Sequence, residues 1–121
     1  MIINLHCNGK NIYKAKYSDI EVALTVLKNE EADISLDIDP EPQKGPCGIQ
    51  VQGENGYFLP VILDADGELR EYVNLEGEGK EPVEIGGYDY DAMMVTQDYD
   101  LIVRMVKEFY ETGDVSRELL K

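Results

Sequence analysis

The chain has 121 residues, 25 of them acidic and 11 basic with a single histidine, for a formal net charge of -14 at neutral pH. A surface of that sign repels a polyanion, so nucleic acid is excluded as a partner and a basic protein is the expected one. Hydrophobic residues make up 43% of the chain, which rules out disorder and suits one domain over residues 1–121 whose core needs no metal or disulfide. No apolar run approaches the ~18 residues of a membrane span, and Met1 to Lys10 lacks the basic-then-apolar pattern of a signal peptide. The expectation is a cytoplasmic protein with no membrane partner. Cys7 and Cys47 stand forty residues apart, outside any CxxC pattern, and read as buried thiols.

Met1 to Leu5 alternates weakly and Asn8-Gly9-Lys10-Asn11 is a turn signal, which predicts a hairpin, or a strand and a loop, ahead of Tyr17. Ser18-Asp19-Ile20-Glu21 has the spacing of a capping box, with Tyr17 placed to staple onto Val22. Ile20, Ala23, Leu24 and Leu27 follow at helical spacing and give a first helix over roughly Asp19 to Glu30. The period then changes to two: Ile34, Leu36 and Ile38 alternate with Ser35, Asp37 and Asp39 until Pro40 and Pro42 end the strand.

Three more strands are predicted at Gly48 to Gly53, Tyr57 to Leu63 and Leu69 to Leu75, the last with Arg70, Tyr72 and Asn74 on one side. Glu54-Asn55-Gly56 and Asp64-Ala65-Asp66-Gly67 are compact turns, so consecutive antiparallel hairpins are the economical connection. A polar, glycine-rich loop follows from Glu76 to Pro82, and Val83 to Val95 reads as one further extended segment broken at Gly86-Gly87. Tyr99, Ile102, Val103, Val106, Phe109 and Tyr110 keep helical spacing. Thr96 or Asp98 can cap this second helix, and Gly113 can stop it.

Catalytic chemistry finds little support along the chain. His6 is the only histidine and has no evident partner, and no GxSxG, HExxH, GxxxxGK[ST] or helix-opening GxGxxG pattern is present. The expectation is a protein without catalytic residues and without a cofactor. Asp64, Asp66 and Glu68 look like the start of a calcium loop, but Leu69 and Leu75 occupy the positions that need a glycine and a bidentate Glu. A hairpin turn whose aspartates bond their own backbone fits better, and no metal site is expected.

Tyr88-Asp89-Tyr90-Asp91 is the more unusual phrase. In an extended segment both tyrosines lie on one face and both aspartates on the other. Tyrosine offers apolar area with a polar tip and aspartate pairs with a partner's cation, so the phrase suits a recognition surface. A buried tyrosine pair with a solvated acidic face is the alternative. Between Asp64 and Asp100 twelve acidic residues face only Arg70 and Lys80, a patch able to steer a basic partner, or one that merely keeps the chain soluble.

The C-terminal run, Tyr99-Asp100-Leu101 leading to Lys107-Glu108-Phe109-Tyr110-Glu111-Thr112-Gly113-Asp114, resembles the signature of the first-numbered family of bacterial polymorphic-toxin immunity proteins. Gly48-Ile49-Gln50-Val51 and Tyr57-Phe58-Leu59-Pro60-Val61 are similar to it in order and spacing, so the likeness spans Ile34 to Gly113. It departs after Thr-Gly, where typical members carry a Pro and a terminal Trp and this chain reads Val115-Ser116-Arg117-Glu118. The resemblance implies a small cytoplasmic inhibitor, not an enzyme, that binds and blocks the toxin domain encoded beside it.

The whole reading is an α+β domain: an antiparallel sheet of about five or six strands, two helices on one face, the other face open. The expected function is to neutralise a basic nuclease or nucleic-acid deaminase toxin, as a monomer or weak dimer. Asp64, Asp66, Glu68, Tyr88, Asp89, Tyr90 and Asp91 are the predicted contact surface. An acidic DNA-mimic inhibitor or a general adaptor is the competing reading.

Overall fold

Alternation of apolar side chains builds a six-stranded sheet, and a computed structural model describes it over residues 1–120. The strands are β1 (Ile2–Cys7), β2 (Lys10–Ile12), β3 (Ala32–Asp39), β4 (Pro46–Glu54), β5 (Tyr57–Asp64) and β6 (Leu69–Glu71), every neighbouring pair antiparallel, in the order β2-β1-β3-β4-β5-β6. Asn55 and Gly56 both take positive φ, 53° and 80°, and close β4 onto β5 as a two-residue hairpin. The predicted antiparallel meander is therefore present, with the first hairpin joined to its β3 side.

One face of the sheet is the core. Leu5, Ile34, Leu36, Ile49, Val51 and Ile62 point into it and are almost wholly buried. Helix α1 (Tyr17–Asn29) covers it with Ile20, Ala23, Leu24 and Leu27, and helix α2 (Tyr99–Thr112) with Ile102, Met105, Val106 and Phe109. Two tyrosine hydroxyls of α2 tie it to α1 and the segment leading into it, Tyr99 donating to the Leu24 carbonyl at 2.9 Å and Tyr110 to that of Ala15 at 3.2 Å. Neither helix is long and apolar enough to cross a membrane.

The structure moves several predicted details. Helix α1 begins at Tyr17, and the Asp19 carboxylate, not that of Glu21, accepts the backbone N–H of the capping residue Lys16 at 2.8 Å. Val22 is exposed, so Tyr17 does not staple onto it and stacks instead against Tyr110, ring centres 5.5 Å apart. Asp98 caps α2 as expected, accepting from Leu101 N–H, and Gly113 ends it in the left-handed conformation.

Larger differences lie beyond β5. Strand β6 stops at Glu71, and the chain passes through a short 3-10 turn at Leu75–Gly77. Gly77 lies against the backbone of Ala92, where a Cβ would strike the carbonyl. The segment after Pro82 is not a further strand of the sheet. It forms a separate hairpin, β7 (Val83–Ile85) and β8 (Tyr88–Tyr90), turning at Gly86-Gly87. This hairpin buries Ile85 with Leu59 and Val95 on the outer face of the sheet, and Thr96 bonds Phe58 in both directions. The face expected to be open is thus covered over part of β4 and β5.

Arg70, Tyr72 and Asn74 share one face as the sequence predicts, and it is the inward one: Arg70 is 4% exposed and Tyr72 packs against the core, while Leu69, Glu71, Val73 and Leu75 are exposed. The Arg70 guanidinium donates to Asp114 at 2.6 Å and to the carbonyls of Val115 and Leu120 at 2.7 and 2.9 Å, tying the C-terminal segment under the sheet.

Candidate partner-binding surface

Alternation along the strands decides which polar side chains reach the outer face. Asn4 and His6 on β1, Asp33, Ser35 and Asp37 on β3, and Gln50 and Gln52 on β4 all point away from the helices, opposite the buried positions between them. His6 is held by Asp37, Nε2 to Oδ2 at 2.9 Å, and by Asn11 on the other ring nitrogen. Ser35 stands opposite His6 in the ladder, yet each imidazole nitrogen faces another residue's oxygen, and none is aimed at the serine hydroxyl. Asp33 is held in place too: Gln50 Nε2 donates to both its carboxylate oxygens at 3.1 Å, and its backbone exchanges hydrogen bonds with Asn8.

The seven predicted contact residues fall into two groups. Asp64, Asp66 and Glu68 form the β5–β6 turn, in which Asp66 Oδ1 accepts from Glu68 N–H at 2.9 Å, the self-bonded turn expected of this sequence. Asp64 is half-buried and one of its carboxylate oxygens has no hydrogen-bond partner. Tyr88, Asp89, Tyr90 and Asp91 lie on and just after β8. Tyr88 is 71% exposed, whereas Tyr90 is half-buried beside Leu59 with its hydroxyl near Gln52 Oε1 at 3.5 Å, so the pair is split between the two predicted roles. Asp91 caps the following 3-10 turn by accepting from Met93 N–H, and Asp89 is exposed.

These groups do not meet. Asp64 pairs with Pro46 where β4 begins, while Tyr90 and Tyr88 lie against Gln52 and Gly53 where it ends. Five residues of extended strand, about 17 Å, separate the two places. Tyr88 and Tyr90 have different neighbours, which the sequence reading did not select: Glu31 and Asp33, at the start of β3, share with them a cleft of about 380 Å³ between the hairpin and the sheet. The period-two spacing of Asp33, Asp37 and Asp39 was the available signal for carboxylates on one strand face, though not for their meeting with the tyrosines.

Glu54 stands beside this cleft. Partial burial raises its pKa, and the carboxylates of Glu31 and Glu84 push it further up, against a lowering contribution from the Gly86 amide. A broader groove of about 990 Å³ runs on the far side of the hairpin, between Tyr72–Leu75 and Val83, with Glu76, Glu81 and Asp98 against Lys80 on its walls. Among the described residues no three His, Cys, Asp or Glu side chains converge closely enough to hold a metal ion. Cys7 is half-buried and Cys47 buried, both thiols are unpaired, and burial raises both pKa values.

Residues 2–119 match DUF6911, a family of unknown function. The chain belongs to this family. The DUF6911 chain is also similar to a hypothetical protein from Neisseria gonorrhoeae whose crystal structure is known, with a TM-score of 0.70 and 20% identity over 94% of this chain and 91% of that one. At that identity the likeness is one of fold. No curated protein matches.

Proposed function

We propose that this DUF6911 protein binds a basic protein partner and neutralises it, in the manner of an immunity protein that blocks a cognate toxin domain. The observation that carries the reading is how little of its negative charge is neutralised internally. Among the described residues one Lys or Arg pairs with a carboxylate, Arg70 with Asp114, and His6 contacts Asp37, in a chain of 25 acidic residues. The remaining carboxylates are spread over strands, turns and both helices, and their mutual repulsion is a standing cost that a cationic partner removes. Such a surface accelerates encounter with a basic protein and discriminates against acidic ones.

Toxin neutralisation is supported by the likeness of the Tyr99-to-Gly113 run and its preceding strands to the immunity-protein signature. A basic nuclease or nucleic-acid deaminase fits the charge best, since its substrate channel must itself be cationic to hold a phosphate backbone. On this reading the protein occupies the place of the nucleic acid.

Co-expression with the protein encoded immediately beside it tests the proposal. A 1:1 complex that copurifies and restores growth to cells making that neighbour is the expected result. A neighbour that does not bind, or a toxic neighbour that this chain fails to counter, overturns toxin neutralisation.

A further inference from the structure

We propose that the cleft between the β7–β8 hairpin and the start of β3 receives the side chain of a single arginine of the basic partner. The inference deepens the binding reading above and rests on it for the identity of the partner.

The cleft has the parts that a guanidinium on an aliphatic stem requires. Ala32, Gly53 and Ile85 form its floor, and with Ile85 and Ala32 only 1% and 5% exposed this floor is fixed in the fold, leaving the tyrosine rings to cover an aliphatic stem. Tyr88 and Tyr90 supply two aromatic rings from β8, one of them largely in solvent and available for stacking. Arginine stacks on aromatic faces while keeping its five donors in plane, which a lysine ammonium does not do. Glu31 and Asp33 supply acceptors, and Gln50 fixes the Asp33 carboxylate by donating to both its oxygens. A carboxylate already held in one orientation loses little further freedom when it accepts a guanidinium.

Charge points the same way. None of the ten residues that line the cleft is basic, and Glu54 beside it, whose ionisation is opposed first by desolvation, also faces the carboxylates of Glu31 and Glu84. The site is therefore short of one positive charge. Two further observations bear on its access. Gly86-Gly87, both at positive φ, form the turn that carries Tyr88, and neither has anything within 4 Å of where a Cβ would stand, so the hairpin tip is unobstructed. Gly53 is different: a Cβ there would point to the helix side, within 2.7 Å of Leu27 and 3.0 Å of Phe58, so the strand beneath the cleft packs tightly on α1.

The probe is a capped tripeptide, acetyl-Gly-Arg-Gly-amide, titrated into the isotope-labelled full chain and followed by amide chemical shifts, with lysine and citrulline versions as controls. Saturable shifts at Asn8, Asp33, Gly53 and Gly86, several-fold weaker binding of the lysine peptide and none of the citrulline peptide are expected. Glu31→Gln and Tyr88→Ala, both at exposed positions, should each weaken the arginine peptide, and should weaken the complex with the basic partner about tenfold, the effect of losing one interfacial anchor. Equal binding of arginine and lysine peptides, or shifts spread over the acidic surface, would overturn the cleft as an arginine site. So would a partner complex indifferent to both substitutions. Arginine binding in the cleft without growth rescue would leave this inference standing and remove toxin neutralisation, so the two fail separately.

Discussion

Arg70 shows how little a local pattern says about what a side chain meets. The alternation of Leu69 and Glu71 with Arg70 separates two faces without saying which is buried, and it is the charged Arg70 that turns inward while Leu69 is 56% exposed. The reason lies 44 to 50 residues downstream, where Asp114, Val115 and Leu120 supply its acceptors. No window of local sequence contains that information. Replacing Arg70 with Met leaves two buried carbonyls without donors, and about 3 kcal/mol of stability should be lost in urea unfolding. A loss below 1 kcal/mol would mean that packing of Val115 and Leu120 alone holds the segment. Glu54 makes the opposite prediction. Its raised pKa means that the fold favours the protonated carboxyl, so the corresponding stability is full below the ordinary value of 4.5 and is lost as pH rises through the raised one. Glu54→Gln, permanently neutral, should therefore melt higher than the parent at pH 7, with the difference closing below pH 4.5. An equal difference at both pH values would refute the electrostatic origin.

Elements were more legible than residues because their signals are periodic and local. The stripe from Ile20 to Leu27 and the alternation from Ile34 to Ile38 each describe one face against one core, and both are present as read. Helix starts depend on one or two side chains and shifted accordingly, as Asp19 displaced Glu21 in the cap of α1. The cap of α2 is unambiguous: Asp98→Ala removes the acceptor of Leu101 N–H and should cost about 1 kcal/mol, visible as a lower urea midpoint with unchanged slope. The hairpin of β7 and β8 was missed for a different reason. Three-residue strands carry almost no periodic signal, and Gly86-Gly87, read as an interruption, is the turn itself. That error bears directly on the site, since folding back at these glycines brings Tyr88 and Tyr90 over Gln52 and beside Asp33.

At the scale of the whole molecule, charge is the most transparent feature of the sequence and its arrangement the least. Counting carboxylates gives the sign of the surface, but only the sheet order shows that the β5–β6 turn and the β8 tyrosines stand at opposite ends of the same strands. A partner engaging the hairpin end alone should then depend on Asp89 more than on Asp66. Asp89→Asn with Asp91→Asn is expected to slow association and flatten its salt dependence with little change in fold, because Asn at 91 can still accept from Met93 N–H. Asp66→Asn should leave the association rate and its salt slope nearly unchanged. The reverse order would place the interface at the β5–β6 turn. One further property follows from strand length. The strands at the margins, β2, β6, β7 and β8, are each three residues long, too short to template the backbone of another chain. Growth into filaments by strand addition has nowhere to start, so the protein can accumulate without polymerising through its edges.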